Sequence, residues 1–333
     1  MYSADEPVSV RDVCDVEVIQ GDGADTATSP ALLIEIPHGA TSRAHYDAIR
    51  GRLRGEFPEG LDEFFFVNTD VGAYECALAA AHMIARPAAY PELLGLIGER
   101  LAAAVATLAP RKILVVRGLV PRTFIDCNRD IEAASSEFRK AGVTPAVPGY
   151  ITEPEDAELL RGLHAAYQDV ARRAYARVCG AGGSALILHT YAPKTVDIVD
   201  VDADIVVKLR RAYEPEQYAT WEERPAVDVI SAAVDGTLLA PPRLVEALAG
   251  YYAASGIEAR ENATYRLYPA TLGHRHSTDY PGRVMCMEIN RARLAEPFSP
   301  FEEMRMGERK VATMAAPIAA AYLESLAEGS NSA

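Results

Sequence analysis

Four short runs along the chain are apolar almost throughout, and longer stretches with helical spacing lie between them. The runs are residues 31–36 (ALLIEI), 112–117 (KILVVR), 185–188 (ALIL) and 284–289 (VMCMEI). Runs this short, closed by proline, glycine or polar residues, read as strands buried on both faces. Residues 70–85 are alanine-rich with helical spacing, and Thr69 or Asp70 stands where a cap belongs. Residues 92–108 form a second predicted helix, with Pro91 just ahead of it. Residues 157–179 put Leu159, Leu160, Leu163, Ala166, Val170 and Ala174 on one helical face, and the glycines at 180–183 end it. Helices are also expected over 239–256 and 317–327, a loop over 20–29, and a frayed tail over 328–333.

Strands alternating with helices predict an α/β domain: a largely parallel sheet with helices on both faces. The whole chain, 1–333, reads as one domain. Residues 197–224 are charged and turn-rich, and read as an inserted lid. In such sheets ligands sit beyond the carboxyl ends of the strands. His38, the 122–129 segment, His189 and Glu288 all fall at or just past a predicted strand.

Composition narrows the partners. A net charge of −14 repels phosphate backbones and anionic lipid, so neither nucleic acid nor a membrane surface is expected. The charge says little about a small substrate, since a local arginine can still capture a carboxylate-bearing molecule inside a cleft, and a homo-oligomer is compatible with everything in the sequence. The five cysteines are scattered, with no CxxC pair, which argues against a disulfide framework or a thiolate zinc knot and fits a cytoplasmic protein. Residues 1–10 lack the apolar segment of a secretory signal. No run approaches the ~20 apolar residues of a membrane helix.

Several polar residues stand out against this pattern. His38, in Ile36-Pro37-His38-Gly39-Ala40, follows a buried strand through a sharp turn, and His189 follows another strand. Each could equally be structural. Asp70 reads alone as a helix cap, and Glu75 on the same helix competes with it as a metal ligand. Arg122, Asp126, Asn128 and Arg129 crowd one segment; arginine suits bidentate capture of a carboxylate, and Asp126 could orient an arginine from behind. Glu288 lies in an otherwise apolar strand, where a carboxylate is costly unless paired or used. Two histidines and a carboxylate around zinc, with an open position for water, make a hydrolytic site, and Glu288 suits the general base.

In that order, His38-Gly39, Thr69-Asp70, Arg122-x-x-Ile125-Asp126-x-Asn128-Arg129, Leu188-His189-Thr190 and Met287-Glu288-Ile289-Asn290-Arg291 resemble the N-formylglutamate amidohydrolase family, a relative of zinc carboxypeptidases and aspartoacylases. The resemblance spans roughly residues 30–295. It implies a phosphorylase/hydrolase-like three-layer fold with a mixed, mostly parallel sheet. It implies one zinc ion per chain held by His38, Asp70 and His189, with Glu288 as general base. Arg122 would polarise the scissile carbonyl, and Asn128 with Arg129 would hold the substrate carboxylate. The chain departs from the family where Ile187-Leu188-His189-Thr190 replaces Asp-Leu-His-Ser, removing one carboxylate, and the 197–224 stretch is longer than usual. His164 and Tyr167 fall where the family often carries a His/Tyr-containing helix, without a role of their own; His274 and His276, near Glu288, could shape the pocket, add a ligand or be an exposed loop pair. Two rival readings stand beside this one: a hydrolase of a different amide or peptide, and a non-catalytic binding protein on the same scaffold.

Overall fold

All four apolar runs become strands, and they lie side by side in one sheet. The structure is a computed structural model that describes residues 6–25, 27–133, 144–196, 198 and 200–330. The strands are β1 (Cys14–Gln20), β2 (Pro30–Ile36), β3 (Lys112–Gly118), β4 (Ser184–Tyr191), β5 (Val227–Ile230), β6 (Ala259–Glu261) and β7 (Val284–Asn290), in spatial order β1-β3-β2-β4-β7-β5-β6. The four central strands, β3, β2, β4 and β7, run parallel. The flanks are mixed: β1 is antiparallel to β3, β5 is antiparallel to β7, and β6 is parallel to β5. The expected mixed, mostly parallel α/β architecture is the one observed.

Helices cover both faces. On one lie α1 (Arg43–Arg50), α2 (Leu61–Asn68) and α5 (Pro154–Val178), which bury Ile49, Phe65 and Tyr167 against the sheet. On the other lie α3 (Ala73–Ala85), α4 (Pro91–Ala106), α8 (Pro242–Ala254) and α10 (Glu308–Ser330). The small residues of α3 and α10, such as Ala77, Ala80, Ala315 and Ala319, are buried in the same cluster. Small side chains let two helix backbones approach closely, and dispersion contacts grow as the gap closes.

Three boundaries differ from expectation for physical reasons. His189 lies inside β4 rather than after it, because Thr190 and Tyr191 continue the pairing with β7. The last helix begins at Glu308 and runs through Pro317. Proline costs a helix interior ~3 kcal/mol, which burial of Met314, Ala315 and Ile318 offsets here. Helix α4 is interrupted at Gly98, whose φ is 73°.

The 197–224 stretch is partly helical, with α6 (Ile205–Ala212) and α7 (Pro215–Thr220). Its neck is closed by backbone bonds from Thr195 N–H to Glu222 O and from Arg224 N–H to Pro193 O, both 2.9 Å. Asp197 lies outside the described residues. Ile205, Val206 and Leu209 of α6 are buried in the same cluster as Phe64 of α2. Arg210 and Glu63 add an ion pair between these two helices. No helix among the described residues is long and apolar enough to cross a membrane.

Candidate metal centre

The carboxyl ends of the parallel strands deliver the polar residues to one cleft. After β2 the chain turns at Pro37-His38-Gly39, passing so close to β3 that a Cβ on Gly118 would sit 2.4 Å from the Pro37 carbonyl oxygen. Only glycine fits that crossing. Asp70 comes from the turn between α2 and α3, where Gly72 takes a φ of 86° to start the next helix. Two threonines stitch these segments together. The Thr69 hydroxyl donates to the Ala40 carbonyl, and the Thr190 hydroxyl donates to the Val71 carbonyl at 2.9 Å.

The stitching brings three ligand-bearing side chains to one point. Candidate ligand atoms of His38, Asp70 and His189 all lie within 4.8 Å of one another, and all three residues are buried. Asp70 Oδ2 is 3.2 Å from His38 Nδ1 and 2.7 Å from His189 Nδ1. Glu75, the competing ligand, stands outside this cluster.

The surroundings of each ligand decide whether a metal fits. His38 Nε2 is 2.7 Å from Asp126 Oδ1. Burial alone would raise the Asp126 carboxyl, but Arg129, Arg122 and His38 outweigh it and hold it well below the ordinary range. An ionised carboxylate only accepts, so it accepts a hydrogen bond from Nε2–H and leaves His38 Nδ1 pointing at Asp70, where a metal would bind. Carboxylate–histidine pairs of this kind fix metal-ligating imidazoles. His189 Nε2 faces the Asn128 amide at 3.3 Å, while Asn128 Oδ1 is a buried oxygen with no partner. Turning that amide over gives His189 Nε2–H an acceptor and frees Nδ1 in the same way. Asp70 Oδ1 faces Arg291 Nη2 at 3.6 Å, which leaves Oδ2 for the histidines. Burial pushes the Asp70 carboxyl up, but His38 and His189 overcome this and hold it below its ordinary value. Two imidazole nitrogens and one carboxylate oxygen are the donor set of a three-ligand zinc site. Ligands ~2.0–2.1 Å from one tetrahedral ion would stand roughly 3.4 Å apart, so the 2.7 Å contact between Asp70 and His189 would open to admit one.

Glu288 stands across the sheet from His189, directly paired with it in register. Burial pushes its carboxyl up to about 7, against the pull of His189. Its Oε2 is buried without a hydrogen-bond partner. Arg122 and Glu288 line both lobes of the cleft, which measure about 380 and 210 Å³. Arg122 donates from Nη2 to Asp126 Oδ2 at 2.9 Å. Arg129 lines the larger lobe but spends Nε on Thr144 O and Nη1 on Asn128 O, both at 3.1 Å. The whole 122–129 segment is strapped from behind. Tyr150 holds Thr123 O, Gln168 holds Cys127 O, and His164 holds Arg129 O. That is the structural role of His164. His276 lies on α9 (Leu272–Asp279) with its ring stacked on Tyr175 at 3.8 Å, and neither it nor His274 joins the metal cluster.

Sequence reasoning placed Asp126 behind an arginine; the structure adds His38 as its partner. It gave Arg291 no role, although a buried arginine at the end of an apolar strand is as costly as Glu288 and signals a partner in the same way. Arg224 was also missed. It is half-buried, lines both lobes, lies 5.2 Å from the Tyr191 ring and 5.5 Å from the Tyr265 ring, and has no carboxylate salt-bridge partner among the described residues. Asp228, opposite Glu288 in β5, accepts the backbone N–H groups of Ala263, Thr264 and Tyr265 and so shapes that wall.

No protein-family model and no curated protein sequence matches this chain. Among solved structures, it is similar to an N-formylglutamate amidohydrolase from Ralstonia eutropha JMP134, with a TM-score of 0.51 and 14% identity over 94% of this chain and 98% of that one. A gene product from Agrobacterium tumefaciens aligns with a TM-score of 0.47 and 13% identity, over 98% of each chain. A metallo-carboxypeptidase from Burkholderia cenocepacia aligns with a TM-score of 0.35 and 12% identity, over 93% of this chain and 61% of that one. At this identity the first likeness establishes a shared fold.

Proposed function

We propose that this protein is a zinc-dependent amidohydrolase of small N-acyl amino acids, with N-formylglutamate-like compounds the first to test. One observation carries the reading: His38, Asp70 and His189 converge on one point, and a partnerless glutamate of raised pKa stands in register opposite His189. These three residues would hold zinc, which would supply the Lewis acidity that lowers a water's pKa to ~7 and polarises a carbonyl. Glu288 takes the proton from the attacking water and hands it to the leaving nitrogen. Arg122 donates to the carbonyl oxygen as it gains negative charge. Asn128 and Arg129, the latter through the outward N–H groups of a guanidinium that also pairs with Asp126, hold the substrate's carboxylate. The likeness of fold to an amidohydrolase agrees with this reading.

Metal analysis and turnover test it. Purified protein is expected to carry about one zinc per chain, and His38→Ala and His189→Ala to lose both zinc and activity. Glu288→Gln should keep the metal and lose turnover by at least 100-fold. Full activity after exhaustive chelation would reject the metal role, and an unchanged kcat in Glu288→Gln would remove the base.

A further inference from the structure

The smaller lobe of the cleft is apolar where it leaves the catalytic residues. It shares Arg122, Arg224 and Glu288 with the larger lobe, so the two chambers meet at the reacting groups. Beyond that junction its walls are Phe64 and Val67 of α2, Ile205 and Leu209 of α6, and Val201 ahead of α6. Several of the polar side chains that line this lobe alone are already committed. Arg291 is bonded to Thr190 O and faces Asp70, Lys194 donates to Tyr218 O, and Asn68 accepts from Thr123. Asn128 and Arg129 line the other lobe and not this one.

We propose that this lobe is an acyl chamber, and that the preferred substrates are amino acids N-acylated by an apolar group of aromatic-ring size. The proposal rests on the amidohydrolase reading and changes its acyl group. A substrate whose carboxylate lies against Asn128 and Arg129 places its scissile carbon at the junction and its acyl tail in the second lobe. The chamber measures about 210 Å³, and an apolar cavity of ~150 Å³ holds benzene. A formyl group would leave these walls uncovered. The 197–224 segment supplies Val201, Ile205 and Leu209, so one wall of the chamber is built by that segment. The reaction breaks the acyl C–N bond. Water's hydroxyl goes to the acyl carbon and its proton to the nitrogen, giving a carboxylic acid and a free amino acid.

The test is kcat/KM of the zinc-loaded protein on N-formyl-, N-acetyl-, N-pentanoyl- and N-benzoylglutamate. We expect kcat/KM to rise with the apolar size of the acyl group, N-acetyl below N-pentanoyl, and N-benzoyl to be the best of the four, exceeding N-formyl by at least about 100-fold. Val201→Phe fills the chamber from a half-buried position and should lower the benzoyl-to-formyl ratio at least tenfold; Leu209→Ala should shift the optimum to a longer chain. Formyl as best substrate, or selectivity that follows the amino acid while ignoring the acyl group, overturns the proposal. Calorimetric titration with benzoate and with formate reads the chamber without turnover. Benzoate is expected to bind at least tenfold tighter, and equal binding overturns the chamber. Hydrolysis of none of the panel together with tight benzoate binding would reject the amidohydrolase reading and leave the apolar chamber standing.

Discussion

The same burial pushes two carboxylates of the cleft towards protonation, and their neighbours decide the outcome differently. Asp70 is surrounded by His38, His189 and Arg291 and stays ionised, whereas Glu288 has an oxygen with no partner and its carboxyl rises to about 7. Pairs driven apart in this way mark acid and base assignments. The sign of the linked stability follows. In the unfolded chain Glu288 ionises near its ordinary value of 4.5, and in the folded chain near 7. Stability is therefore lost as pH rises from 4.5 through 7, by up to about 3 kcal/mol above that window. In chelator, Glu288→Gln should melt higher than the parent at pH 8 and alike at pH 4, measured by thermal denaturation; equal melting at both pH values would refute the burial argument. Asp126 offers a second test at this scale. Asp126→Ala should weaken zinc binding roughly 10–100-fold, read by competition with a chromophoric chelator, because His38 loses the acceptor that fixes its tautomer. Unchanged affinity would free His38 from that dependence. The sequence displayed Glu288 because its neighbours are apolar. It could not display the Asp126–His38 contact, since 88 residues separate the two.

Among the elements, the strands with long apolar runs were legible and the amphipathic ones were not. In β1, CDVEVIQ alternates acids with valines because the strand lies at the sheet edge, with Val18 exposed. An edge strand with one wet face produces no apolar run. Helices α2 and α6 escaped for the opposite reason: each is eight residues long, too short for periodicity to separate from an isolated apolar cluster. The Pro37-His38-Gly39 turn was legible, but not the reason for its shape, which is the passage over Gly118. Gly118→Ala is expected to force the turn away from β3, costing ~1–3 kcal/mol and lowering zinc affinity with it. Calorimetry and zinc competition on this variant check both effects. A variant with a lowered melting point and full zinc affinity would show that the crossing supports the fold alone.

Across the whole molecule, one continuous sheet separates two apolar clusters, one on each face. Neither cluster can be exposed without stripping the strands that the other also needs. We therefore expect a single cooperative transition in scanning calorimetry; two resolved transitions would divide the chain into independent units. The α/β class was readable from the alternation of runs, since that depends only on local patterning. The mixed flanks were not, because β5 and β6 are four and three residues long. Global architecture also bears on the metal. Thr69 and Thr190 hold the three ligand-bearing segments through backbone carbonyls, so the protein's own bonds position the ligands. This differs from zinc fingers, where metal binding supplies the folding energy. Chelation should therefore abolish activity while far-ultraviolet circular dichroism stays unchanged, and added zinc should restore function without a refolding lag. If zinc is the metal held here, the consequence of those two threonines in a cell concerns supply: through a period of zinc scarcity the chain would persist as a folded reserve, recharged by the next available ion instead of by new synthesis.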